Sequence, residues 1–134
     1  MKAQNLRIGN YIKAKGLICE IVSINKDEVQ CQCFKDNNNE HISLVLADIQ
    51  SIPLNEKVLK ECCGFDTEKR LVAKNTYLQY TPNNDHYIIL ENDKKESLIH
   101  FWDIKTLHQL QNLYYALAGT ELIIALSCLT QMLQ

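Results

Sequence analysis

Apolar and polar positions alternate in short runs through residues 6–52, and turn chemistry separates the runs. Leu6, Ile8, Tyr11 and Ile12 begin the pattern, with Gly9-Asn10 as a bend or bulge. Gly16 turns the chain into a strand over residues 17–24. There Ile18 and Ile21 compete with Val22 and Ile24 for the inner face. Asn25-Lys26-Asp27 is turn chemistry. Val29, Cys31 and Cys33 then alternate with Gln30, Gln32 and Phe34, a period of two that predicts a half-buried strand. Asp36-Asn37-Asn38-Asn39 is the strongest turn signal, because Asn and Asp tolerate positive φ and bond their own backbone. Residues 41–46 return as the partner strand, Ala47-Asp48 makes one tight turn, and residues 49–52 form a fifth strand.

After Pro53 the period changes. Asn55 is a good N-cap, and Leu54 can staple onto Leu59. Val58, Leu59, Cys62 and Cys63 make a buried stripe, and Gly64 stops the helix before Phe65. This short helix is expected to plug one end of the strands. Extended segments follow at 71–80 (broken near Lys74-Asn75), 87–91 and 97–102, with turns at 82–85 and 92–95. The spacing predicts an antiparallel meander that needs a helix to close its core. That helix spans residues 107–118. Thr106 and Gln109 fit a capping box, and Gly119 supplies the stop. At 100° per residue, Leu107, Leu110, Leu113, Tyr114, Leu117 and Ala118 share one face. His108, Gln109, Asn112 and Tyr115 share the other. Residues 121–126 read as a β-branched strand or as the start of a second helix capped by Thr120, and periodicity does not separate the two. The strand is preferred, followed by a tail without assigned structure.

The implied fold class is α+β. Five short strands with a helical turn before the last resemble an SH3-like barrel, spanning residues 1–53. Residues 54–134 form a helix, an antiparallel sheet and a covering helix, packed with the first part as one unit.

Composition adds limits. A chain of 134 residues buries about 68% of its unfolded surface and needs no metal or disulfide for stability. Charged residues make up 22% and the net charge is −2, which argues against disorder. The pI of about 6.1 and the presence of only two arginines, Arg7 and Arg70, argue against a dedicated nucleic-acid binder. One local exception stands out: residues 1–16 carry Lys2, Arg7, Lys13 and Lys15 and no acid. A lysine-protected edge strand is preferred there over a phosphate-binding arm. The N-terminus lacks the apolar core of a signal peptide, and no apolar run is long enough for a membrane span. A cytoplasmic location is expected, where Cys19, Cys31, Cys33, Cys62, Cys63 and Cys128 would stay thiols.

Three segments carry a family likeness: Leu6-Arg7-Ile8-Gly9-Asn10-Tyr11, then Ile52-Pro53-Leu54-Asn55-Glu56 with Cys63-Gly64-Phe65, and finally the run from His108 to Leu122. Together they resemble a family of small uncharacterised proteins of phages and prophages of gut bacteria. The closing run is the most specific part. Members of that family usually stop soon after the position of Leu122, so residues 123–134 depart from the pattern. The resemblance implies a mobile-element origin and a bacterial cytoplasm, and no chemistry.

Candidate sites follow from residue types. Cys31-x-Cys33 with Cys62-Cys63 offers four thiolates, but structural zinc sites space paired ligands by two to four residues. Buried thiols acting as small hydrophobes are the better reading. His41, His86, His100 and His108 form no motif, and no P-loop, nucleophile-elbow or dinucleotide-binding glycine pattern occurs. A Cys63–His108 nucleophile pair requires two distant helices to meet. Tyr77, Tyr80, Tyr87, Phe101 and Trp102 read as core more readily than as a base-stacking sheet. His108, Gln109, Asn112 and Tyr115 form the best candidate partner-binding face, with aromatic and amide groups suited to directional bonds.

The expected function is a non-enzymatic accessory or protein-interaction module of a mobile genetic element, without cofactor, metal or membrane. Its partner is an unidentified protein, and self-association through the apolar tail is a further option. The alternative is a nucleic-acid-associated module using Lys2, Arg7, Lys13, Lys15 and the barrel face.

Overall fold

A computed structural model describes residues 5–35, 38–81, 88–92, 94, 96–101 and 103–132. Among them the chain is α+β, with two antiparallel four-stranded sheets and helices near the C-terminus. The first sheet contains β1 (Tyr11–Ala14), β2 (Leu17–Ile24), β3 (Glu28–Lys35) and β4 (Asn38–Val45), in that spatial order. The second contains β5 (Arg70–Ala73), β6 (Thr76–Tyr80), β7 (Ile88–Glu91) and β8 (Ser97–Phe101), also in sequence order. Helix α1 spans Leu107–Ala118 and α2 spans Leu126–Met132. No helix among the described residues is long and apolar enough to cross a membrane.

Among the described residues neither sheet closes, so the SH3-like barrel is not confirmed. The expected fifth strand shrinks to one bridge, in which Lys13 and Gln50 exchange two backbone hydrogen bonds of 2.8 Å. The 3-10 turn Leu46–Asp48 carries the chain there from β4. A single bridge covers the middle of β1 without joining it to β4.

Strand β2 explains why its inner face was ambiguous. Ile18 and Cys19 are both buried although they point to opposite faces. Cys19 and Ile21 join a core with Ile12, Val29, Cys31, Cys33 and Leu44. Ile18 joins a second core with Leu59, Leu78, Tyr80, Leu107 and Leu110. A register shift between Ile21 and Ser23 then bulges the strand at Val22. The first sheet is therefore sandwiched, and its outer side is the wall on which the C-terminal half packs.

Two of the expected thiols are absent. Cys19 and Cys33 lie opposite each other on β2 and β3, and they form a disulfide inside the first core. Cys31, Cys62, Cys63 and Cys128 remain free.

The linking helix widens into a π-helical turn, Val58–Cys62. Asn55 caps its start, accepting the Val58 N–H on Oδ1 at 2.8 Å. Cys63 N–H reaches back five residues to the Val58 carbonyl, and Gly64 takes a positive φ at the exit. The 71–80 segment breaks where expected: Lys74 (φ 61°) and Asn75 turn β5 into β6. The turns expected at 36–39 and 92–95 lie partly, and that at 82–85 wholly, outside the described residues.

The tail takes neither of the extremes expected of it. Residues 121–125 are irregular rather than a strand, and α2 follows. Leu122 and Leu129 enter the second core, and the Ala125 N–H donates to the Cys62 carbonyl at 2.9 Å. Among the described residues of the tail, Ile123 is the large apolar side chain left exposed, at 88%.

Candidate functional site

Helix α1 forms as its sequence implies. Gln109 Oε1 accepts the Thr106 N–H at 3.1 Å, completing the capping box, and Gly119 ends the helix with φ 75°. Its orientation differs from the simple amphipathic picture. Leu107 and Leu110 are fully buried, but so are His108 and Gln111. The helix is wedged between the two halves of the molecule, with leucines toward the second sheet and amides toward the N-terminal segment.

Residues 7–10 make a β-turn, with Gly9 at φ 97° in its third position, where a left-handed residue is needed. Asn10 is completely buried. Its Oδ1 accepts the Arg7 N–H at 2.7 Å, and its Nδ2 donates to Asn112 Oδ1 at 2.8 Å. Arg7 Nε donates to that same Asn112 oxygen at 3.0 Å, and Asn112 Nδ2 donates to the Asn5 carbonyl at 3.4 Å. Gln111 Oε1 accepts the Tyr11 N–H at 2.9 Å, and its Nε2 donates to the Gly9 carbonyl at 3.2 Å. Two adjacent helix amides thus complete the hydrogen bonding of the turn before β1. The Arg7 guanidinium lies 4.4 Å above the Tyr115 ring and forms an ion pair with Glu121. Burial, and then the nearby charge of Glu20, pushes the Tyr11 hydroxyl up to about 12.

The four residues of the candidate partner-binding face do not share one exposed surface. His108 is buried, packed beside Thr106 and residues 49–51, with its Nδ1 3.3 Å from Thr106 Oγ1. Gln109 is spent on the cap, and Asn112 on Asn10 and Arg7. Tyr115 keeps 43% exposure but supports Arg7. The helical wheel separated apolar from polar residues, whereas this helix buries both. Gln111, at the border of the wheel between Leu107 and Tyr115, is a buried amide that a two-faced reading leaves on neither face.

The basic segment is dispersed. Arg7 is neutralised by Glu121, Lys13 lies in β1 beside Gln50, and Lys15 occupies the β1–β2 turn at φ 52°. Lys2 lies outside the described residues, as do His86, Tyr87 and Trp102. Tyr80 is core, packed edge-on to Phe65 at 5.3 Å, and Phe101 is half-buried against the same core. Tyr77 sits 4.0 Å beneath the Arg70 guanidinium on the outer face of the second sheet. There Arg70 Nε lies 3.5 Å from Glu91 Oε2, a buried ion pair that the sequence did not advertise. The four-thiolate zinc set is not assembled: Cys33 is in the disulfide, and Cys31 belongs to a different core from Cys62 and Cys63. Among the described residues, no three His, Cys, Asp or Glu side chains gather as a metal site.

Beside α1 runs an open groove lined by Asn5, Phe101, Asp103, Ile104, Asn112 and Leu113. It borders β8, the terminal strand of the second sheet. Four of the five β8 residues are exposed, including Leu98 at 52% and Ile99 at 49%. Phe101 and Ile99 pair with Ile88 and Leu90, so they extend the apolar inner face of the sheet past the cover of the helix.

No protein-family model, curated protein or solved structure matches this chain.

Proposed function

We propose that this protein is a non-enzymatic interaction module of a mobile genetic element, and that it takes an extended segment of a protein partner along β8. The mobile-element part rests on the resemblance of the three segments to the phage-type family. The binding part rests on one observation, the exposure of an apolar strand at the end of its sheet. A terminal strand offers a row of backbone groups to an added strand, and natural proteins usually blunt such edges with lysine or proline. β8 reads Ser-Leu-Ile-His-Phe and has neither. An added strand gains backbone hydrogen bonds from the edge and side-chain selectivity from the pockets beside it. Here the groove at Phe101, Ile104 and Leu113 takes apolar side chains at alternate positions, and Asp103 at its border favours a basic neighbour. The nucleic-acid reading has less support, since Arg7 is held by Glu121, Asn112 and Tyr115.

The test is site-specific photocrosslinking in the bacterial host, with the crosslinker at position 98 and a control at Val45, which is equally exposed on the edge of the first sheet. A discrete protein adduct from position 98, absent from position 45 and lost with Ile99→Lys, is the expected result. Equal adducts from both positions, or an adduct indifferent to Ile99→Lys, would refute the assignment.

A further inference from the structure

At the edge of the second core two sulfurs from separate elements touch, and a third lies on the same pocket as one of them. Cys62 ends the π-helical turn, while Cys128 and Met132 lie four residues apart in α2 and so share one helix face. The Ala125–Cys62 backbone hydrogen bond fixes the two elements together. Cys62 Sγ lies 3.7 Å from Met132 Sδ. Cys128 and Met132 line a small pocket together with Lys57, Glu61 and Gln131. Cys62, 2% exposed, reaches the pocket through its contact with Met132, whereas Cys128 is half-buried and lines it.

Ordinary core packing explains one buried thiol, but it does not call for two thiols and a thioether around a pocket open to water. Two sulfurs 3.7 Å apart can both reach one metal ion through bonds of about 2.3 Å. The donor set selects the ion. Zinc takes four nitrogen, oxygen or thiolate ligands, and thioether is not among them. Thiolate and thioether donors together suit Cu(I).

We propose that Cys62, Cys128 and Met132 bind a single Cu(I) ion. Both thiols release their protons to solvent as their sulfurs bind the metal, and Met132 binds as a neutral donor. The complex then carries one net negative charge, from two thiolates and one monovalent cation. Lys57 at the pocket wall offsets that charge, and Glu61 at the same wall opposes it. The same groups act on the free thiol: burial and the charges of Cys128 and Glu61 push Cys62 up to about 11, while Lys57 pulls it down. Cys63 follows in the chain and is buried in the core, where burial pushes its thiol up to about 12. Each thiol gives up its proton as it binds, so binding tightens as pH rises.

The experiment uses the full chain with its disulfide intact, titrated anaerobically with Cu(I) against a chromophoric Cu(I) chelator, with proton release measured in weak buffer. The expected result is one ion and two protons per chain. Met132→Leu should weaken binding by about tenfold or more, and Cys128→Ser should weaken it further and lower the proton count to one. Cys31→Ala should change nothing. Cys62→Ser is the more invasive variant because the residue is buried, so the partly exposed Cys128 and Met132 carry the test. Affinity unchanged in both Cys128→Ser and Met132→Leu would overturn the site, as would loss of binding in Cys31→Ala. Zn(II) bound as tightly as Cu(I) would overturn the choice of ion.

Discussion

Asn10 and Asn112 are hydrogen-bonded side chain to side chain at 2.8 Å, although 102 residues separate them in the chain. Through this contact the N-terminal turn recognises the C-terminal helix. Asn10 is fully buried, and Asn112 Oδ1 also serves Arg7 Nε. Replacing Asn112 with Leu would leave a buried amide and a guanidinium N–H without their acceptor. The expected loss is about 1–3 kcal/mol of folding stability, because a buried donor left unsatisfied costs its full desolvation. Urea denaturation of Asn112→Leu, Asn10→Leu and the double variant would measure it. The double variant should lose less than the sum of the single losses.

His108 makes stability depend on pH. Burial lowers its pKa below the ordinary histidine value of about 6.5. The native state therefore resists protonation, and the unfolded chain binds the proton more readily. The stabilisation from neutral, buried His108 is complete above the unfolded pKa and is lost as pH falls through about 6.5 toward the lower native value. Denaturation midpoints at pH 7.5, 6.5 and 5.5 should fall for the native sequence and fall less for His108→Gln. A parallel fall in both proteins would show that other groups set the acid response.

The disulfide joins Cys19 and Cys33 at a sequence separation of 14. Loop-closure entropy for that separation implies a stabilisation of about 3 kcal/mol. Reduction, or Cys33→Ser, should lower stability by that order without unfolding the second core, which contains neither cysteine. Alkylation of the denatured chain should label four cysteines before reduction and six after it, since the free cysteines are Cys31, Cys62, Cys63 and Cys128.

Much of the fold was legible because it is local. Thr106, Gln109 and Gly119 bracket α1, and Lys74-Asn75 marks a hairpin, through chemistry confined to a few residues. What could not be read locally was which surfaces meet. Ile18 faces away from Cys19 yet is just as buried, because the second half covers the back of β2. His108 and Asn112 are polar yet packed, because the turn at Gly9-Asn10 supplies their counterparts from the far end of the chain. The wheel misjudged the exposure of His108 for that reason: it reports polarity, and a helix between two sheets buries polar groups wherever partners exist. Segments from the start and the middle of the chain meet at this wedge. Ile52 and Leu54 bond to the chain entering α1, and Arg7–Tyr11 bond to Gln111 and Asn112.

Arg70 and Glu91 test the cost of buried charge. The two side chains are 12% and 8% exposed, and the guanidinium is stacked on Tyr77. Arg70 Nε and Nη2 are buried without a hydrogen bond, so the pair is held by charge and stacking rather than by full hydrogen bonding. Removing one partner strands the other charge. Arg70→Met should therefore destabilise by about 3–5 kcal/mol, since Glu91 would be left uncompensated. Arg70→Met combined with Glu91→Leu should recover most of that loss, because replacing a buried pair with packed apolar groups is often neutral. Chemical denaturation of the two variants at pH 7 decides between this account and a merely superficial pair. Were Arg70→Met to cost under about 1 kcal/mol, the ordinary value of an exposed ion pair, the outer face of the second sheet would be wetter than its geometry implies.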